Sequence, residues 1–181
     1  MSGVESYAGG ANHFSLGALE GGGRVRDLGC GAGTDTLVAA QMVAPEGRVT
    51  GIDMTPEMLL KARTAADEMG AENVEFVEGE VEQLPFDDAS LDLVVSSFLM
   101  HELPPDIRTA ALAEMARVLK PDGLAVIVDS MQKGDQPSWD GLLDLFPHYF
   151  HEPYYANYVA GSLEGWSDAA SLRPISTERA F

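Results

Sequence analysis

The sequence contains a single cysteine, Cys30. No disulfide can therefore form within the chain, and a cysteine-based structural zinc site is excluded. No run of about 18 apolar residues occurs, which excludes a membrane-spanning helix. Met1 to Glu20 shows no basic segment followed by an apolar one, so no secretory signal is visible and a cytoplasmic location is expected. Lysine is scarce: only Lys61, Lys120 and Lys133 are present. Eleven Lys and Arg face 29 Asp and Glu, for a formal charge of −18. Binding to phosphate backbones needs clustered cations, and none are clustered here, so nucleic acid and anionic membranes are poor partners. Such an acidic surface suits a high-salt cytoplasm, where screening relieves self-repulsion. An ordinary acidic protein is the plain alternative.

What is present is ample for one globular domain. The chain has 181 residues, 45% of them hydrophobic, enough to bury a core without staples. Residues 1–23 are Gly-rich and weakly patterned. From Arg24 onward, strand-like and helix-like segments alternate. Strands are expected at Arg24–Leu28, Arg48–Asp53, Asn73–Val77, Leu91–Phe98 and Leu124–Val128. Helices are expected at Thr34–Ala44, from Thr55 (N-cap) and Pro56 to Gly70, and from Pro104-Pro105 through Val118. Lys120-Pro121-Asp122-Gly123 reads as a turn. Alternation of this kind implies an α/β fold: a doubly wound, Rossmann-like, mostly parallel sheet with helices on both faces. Ligands of such folds lie across the carboxyl ends of the strands, where strand order reverses.

The loops at those ends carry the chemistry. Gly29-Cys30-Gly31-Ala32-Gly33 joins the first of these strands to a helix. Glycines there let a ligand approach the backbone, and the helix start offers unpaired N–H groups to an anion. Thr34 stands where a dinucleotide fingerprint would have its last glycine. Asp27, just before the loop, suits a ligand amino group better than phosphates. Asp53 ends the next strand, about 20 residues past the glycines, where an acid can hydrogen-bond ribose hydroxyls; a helix-capping aspartate is the plainer reading. In Glu78-Gly79-Glu80-Val81-Glu82, one carboxylate can accept from an adenine amino group, although an acidic surface loop is equally simple.

Five segments together resemble the class I S-adenosylmethionine-dependent methyltransferases. They are Val25 to Gly33, Gly51-Ile52-Asp53-Met54, Gly79 to Phe86, Leu91 to Ser97 and Arg117 to Gly123, in the family's order. The resemblance covers roughly residues 24–130 and implies S-adenosylmethionine as cofactor. It implies that Asp27 and the loop of Gly29, Cys30, Gly31 and Gly33 hold the methionine moiety. Asp53 would hold the ribose and Met54 would pack on the adenine. Glu80 and the Val81 backbone would read the adenine edge, with Ser97 and Phe98 beside the methionine end. Arg26 and Glu80 depart from the usual apolar residue and Asp. The family's closing antiparallel strand pair is expected to be incomplete: Ser162–Leu172 reads as a last helix, Arg173–Ala180 as a sixth strand, and a seventh is missing. An unpaired edge there would favour a homodimer.

The loop Phe98 to Leu103 lies over the cofactor in this family, which makes His101 a candidate base or acceptor contact, or else a structural histidine. The segment 131–161 is expected to form a substrate pocket or lid. Asp129, His148, His151, Tyr154 and Tyr155 are its candidate lining residues, and aromatic packing against the sheet is the plain alternative. A helix would put His148 and His151 on one face, but no third metal ligand is evident beyond Glu152, so no metal site is expected. Asn12 to Gly17 and Asp53 to Leu59 are similar to arsenite methyltransferases, and the wider likeness includes quinone-biosynthesis methyltransferases. The expected function is methyl transfer to a small-molecule acceptor. A truncated, non-catalytic remnant that binds cofactor or partner, and a nucleotide-dependent oxidoreductase, are the alternatives.

Overall fold

A computed structural model describes residues 3–8 and 22–179. The segment Asn12 to Gly17 lies outside the described residues. Seven strands form one sheet: β1 (Gly3–Ala8), β2 (Arg24–Leu28), β3 (Arg48–Asp53), β4 (Val74–Glu78), β5 (Leu91–Ser97), β6 (Leu119–Asp129) and β7 (Arg173–Arg179). Their order is β4-β3-β2-β5-β6-β1-β7, and every pairing among the described strands is parallel. The chain steps outward from β2 to β4 and then returns to β5 on the other side of β2. The switch point therefore lies between the carboxyl ends of β2 and β5.

Alternate strand residues face two helical layers. Val25, Val49, Val95 and Val126 pack with Ala39, Ala40 and Val43 of helix α1 (Thr34–Val43). Leu37 of α1 joins Leu59, Ala62 and Ala66 of α2 (Pro56–Met69) on the same side. On the opposite face Leu28, Ile52, Val94 and Ile127 pack with Leu112 and Met115 of α3 (Pro105–Val118). Tyr158 and Leu163, from α5 (Tyr155–Val159) and α6 (Leu163–Ala169), complete that layer. A remaining helix, α4 (Asp140–Tyr149), precedes them. Each fully buried Leu or Ile contributes about 1.5–3 kcal/mol, so these two layers hold the switch-point loops in place.

Three features differ from the sequence expectations. Residues 1–23 are Gly-rich and weakly patterned, with no strand expected there, yet Gly3–Ala8 forms β1. It lies between β6 and β7, pairing in parallel with both. The edge expected to favour association is therefore paired within the chain. The turn expected at Lys120 to Gly123 is instead part of β6, where the register with β5 shifts between Leu91 and Leu93. Thr55 does stand at the N-cap of α2, but its side chain makes no capping bond. The Asp53 carboxylate accepts from the Thr55 N–H instead, at 2.9 Å.

Arg26, the departure in β2, is accommodated rather than excluded. Its guanidinium lies 4.8 Å from the centre of the Phe86 ring and donates to the Val25 carbonyl. Burial, with the nearby Arg24 charge, lowers its pKa.

Candidate functional site

At the carboxyl end of β2, Gly29, Gly31 and Gly33 all adopt positive φ. At Gly33 glycine is required by space as well as by torsion. A Cβ on Gly33 would stand 2.9 Å from the Ala62 Cβ and 3.1 Å from the Phe76 ring. On Gly29 it would meet Leu99 at 2.9 Å. The loop thus lies close against α2 and the β5 loop. Asp53 clamps it from β3: one carboxylate oxygen accepts from the Gly31 N–H at 2.9 Å while the other takes Thr55.

A cavity of about 390 Å3 opens beside this loop. Gly29, Asp53, Met54, Glu80 and Val81 line one side, and Leu99, Glu102, Leu103, Pro104 and Ile107 line the other. No lysine or arginine is among the lining residues, whereas Asp53, Glu80, Glu82 and Glu102 are. A site of this kind repels a pyrophosphate and attracts a cationic ligand bearing a diol. The residues present therefore fit S-adenosylmethionine, with its sulfonium, ammonium and ribose, and fit a nicotinamide dinucleotide poorly. The expectation that the loop Phe98 to Leu103 lies over the cofactor covers part of this wall; Pro104 and Ile107 read in the sequence only as the start and apolar stripe of a helix.

Asp27 lies beneath the loop, essentially out of solvent. Its carboxylate accepts from the Thr36 hydroxyl at 2.6 Å. Burial pushes its pKa up to about 7; the Thr36 hydrogen bonds oppose the shift, and the charges of Asp35 and Asp53 add to it. Cys30 is buried, and desolvation, with the charges of Asp27 and Asp53, pushes its thiol up to about 12. Met54 is 71% exposed, free to cover a planar ligand, and Glu80 is exposed while Val81 is buried.

Past β5, Ser97 ends the strand and Phe98 follows with φ of +52°, a left-handed conformation that non-glycine residues adopt at a cost of about 1–3 kcal/mol. That turn sends the chain back over the cavity and into the short 3-10 turn Met100–Glu102. His101 is buried there against Asp129, at the end of β6. The His101 Nδ1 lies 2.6 Å from Asp129 Oδ1. Asp129 is itself fully buried and fixed, accepting from the Met100 N–H and the Ser130 N–H, each at 2.7 Å. Burial alone would lower the imidazole pKa, but the hydrogen bond and charge of Asp129, with Glu152 and Glu102, outweigh it and raise the value. With Asp129 accepting from Nδ1–H, the lone pair of the neutral ring is on Nε2.

Aromatic rings surround this pair. Tyr155 and Phe98 stand edge-on to the His101 ring at 5.8 and 6.4 Å, and Tyr158 lies at 6.1 Å. Phe146 stacks on Tyr155 at 4.6 Å. Among the expected pocket residues, the fold brings Asp129 and Tyr155 to His101. His148, His151 and Tyr154 are exposed. Since α4 ends at Tyr149, no helix aligns the two histidines. Glu152 does approach His101, together with Glu102. Thr36 and Glu102 acquired no role from the sequence: the Thr36 bond to Asp27 arises only as the loop folds back, and Glu102 meets Glu152 only in the folded chain.

Residues 25–123, more than half of the chain, match a family described as a methyltransferase domain. The arsenite methyltransferase of Halobacterium salinarum is 41% identical over 135 residues, covering 75% of this chain and 34% of that protein. The demethylmenaquinone methyltransferase of Listeria welshimeri is 34% identical over 148 residues, covering 81% of this chain and 60% of its own length. The chain thus spans about a third and three-fifths of these relatives. The crystal structure of a SAM-dependent methyltransferase from Aquifex aeolicus superposes with a TM-score of 0.56 at 31% identity, covering 72% of this chain and 73% of that one.

Proposed function

The chain belongs to the class I S-adenosylmethionine-dependent methyltransferases, and from that premise we propose that it methylates a flat or apolar small molecule seated beside His101. The observation that carries this reading is the cation-seeking cavity, whose wall includes Leu99 and Glu102, with the buried His101–Asp129 pair in the same turn as Glu102. When bound, S-adenosylmethionine supplies a methyl group already activated on a sulfonium, so positioning is the protein's main task. Asp53, held by Gly31 and Thr55, presents its remaining lone pairs to the ribose. Glu80 and Met54 take the edge and face of the adenine. Asp27 answers the ammonium from beneath the glycine loop. His101 Nε2 accepts the acceptor's proton as the methyl arrives, while Asp129 fixes the tautomer and steadies the imidazolium. Phe98 and Tyr155 form the apolar surround that excludes water.

Arsenic as acceptor has less support than an organic hydroxyl or a related carbon or nitrogen centre. Thiolate chemistry would have to come from Cys30, whose thiol is buried and pushed up to about 12. The formal charge of −18 and the relative from Halobacterium salinarum support a working environment of high salt, in the cytoplasm.

Calorimetric titration with S-adenosylmethionine and its demethylated product, at low and molar KCl with NADH as control, tests the cofactor assignment. A panel of aromatic hydroxyl acceptors with labelled methyl donor tests the transfer. Binding of both sulfur compounds but not NADH, followed by label in an aromatic acceptor, is expected. Cofactor binding without transfer to any acceptor would favour the non-catalytic remnant. NADH binding would overturn the reading.

A further inference from the structure

Glu152 comes from a distant part of the chain to meet His101 and Glu102, neighbours in one 3-10 turn. A ring nitrogen of His101 and one carboxylate oxygen from each glutamate all lie within 4.8 Å of one another. Among the described residues, neither glutamate forms an ion pair with a lysine or arginine. The histidine is prepared in a particular way. Its Nδ1 is committed to the buried Asp129 at 2.6 Å, and Asp129 is locked by two backbone N–H groups. A carboxylate behind the far nitrogen is the arrangement that fixes the tautomer and raises the basicity of a metal-bound imidazole. The nitrogen left with a lone pair, Nε2, is the one available to meet the two glutamates.

We propose that His101, Glu102 and Glu152 form a binding site for one divalent first-row transition ion, with Asp129 as the residue that positions the histidine. One imidazole and two carboxylates suit Mn2+, Co2+ or Zn2+, whereas Mg2+ and Ca2+ prefer all-oxygen sets. Three protein donors leave coordination positions open. Glu102 also lines the cofactor cavity, so the ion would border the place where the acceptor is expected. The consequence for catalysis rests on the proposed methyl transfer: an acceptor oxygen on the ion would lose its proton more readily, and His101 would then be a ligand instead of the base. Ion binding itself does not depend on that reading.

The test is Mn2+ uptake by the apo-protein, followed by loss of the free-ion EPR signal, and Co2+ uptake followed by visible absorption. Both are run in molar KCl, which suppresses diffuse binding to the acidic surface. One ion per chain is expected, with a Co2+ spectrum showing nitrogen ligation. Glu102→Gln and Glu152→Gln each remove a donor from an exposed or half-buried position, where the fold tolerates the change. Each should weaken binding at least tenfold, and Asp129→Asn should weaken it by about 10- to 100-fold. Uptake unchanged by Glu152→Gln, or no uptake at millimolar ion, would overturn the proposal and leave the cluster as carboxylates balanced by an imidazolium. Both readouts are independent of methyl transfer, so failure of the enzymatic reading would not be mistaken for failure of this one.

Discussion

Replacing Asp27 with asparagine should make the protein more stable at pH 8 and bind its cofactor less well. Asp27 is fully buried and, among the described residues, has no cationic partner and accepts one side-chain hydrogen bond, from Thr36. Burial pushes its carboxyl from 3.8 in the free state to about 7 in the folded protein. Between those values the folded state holds a proton that the unfolded chain has lost. This group's contribution is therefore full below about pH 4, declines as pH rises and is gone above about 7. At about 1.4 kcal/mol per pH unit, the full span amounts to about 4 kcal/mol as an upper bound. Asparagine keeps the shape and an oxygen for Thr36 but never ionises. Asp27→Asn should thus gain up to about 4 kcal/mol over wild type at pH 8, or about 10 °C in Tm for a chain of this size. The advantage should shrink steadily toward pH 5. Urea unfolding of both proteins at pH 5, 6, 7 and 8 in molar KCl measures the difference, and general acid effects on the highly charged surface cancel between them. Equal stability at pH 8, or an advantage that does not change with pH, would refute the reasoning. Calorimetry with S-adenosylmethionine at pH 8 completes the experiment. A carboxylate kept at this energetic disadvantage is expected to serve the ligand's ammonium, so affinity should fall as stability rises.

Other substitutions probe the rest of the site. Asp53→Ala removes the clamps on Gly31 and Thr55 and the proposed ribose contact, and calorimetry should show cofactor affinity reduced tenfold or more; wild-type affinity would remove Asp53 from the site. His101→Ala should lower methyl transfer by about 100-fold or more with cofactor affinity unchanged, and unchanged turnover would remove it from the mechanism. Gly33→Ala forces a Cβ at φ of +83° to within 2.9 Å of Ala62. It should destabilise the fold by about 1–3 kcal/mol in urea titration.

The sequence by itself determined the elements whose cause is local. Glycines 29, 31 and 33 lie between the short strand Arg24–Leu28 and an alanine-rich helix, so strand, loop and helix follow one another within about 20 residues. Asp53 stands at a strand end that its own neighbours define. Buried runs such as Leu93-Val94-Val95 announced a parallel sheet because such strands are apolar on both faces. Tertiary structure alone decided which strand ends meet. β5 and β6 are adjacent and parallel, so their carboxyl ends emerge side by side, and His101 finds Asp129, 28 positions further along the chain. The fold also brings Glu152, from the segment between α4 and α5, to that histidine, while His148 and His151, closer to each other in sequence, stayed at the surface. β1 is the sharpest instance: nothing in Gly3–Ala8 specifies a partner, and only the open hydrogen-bonding edges of β6 and β7 make that segment a strand.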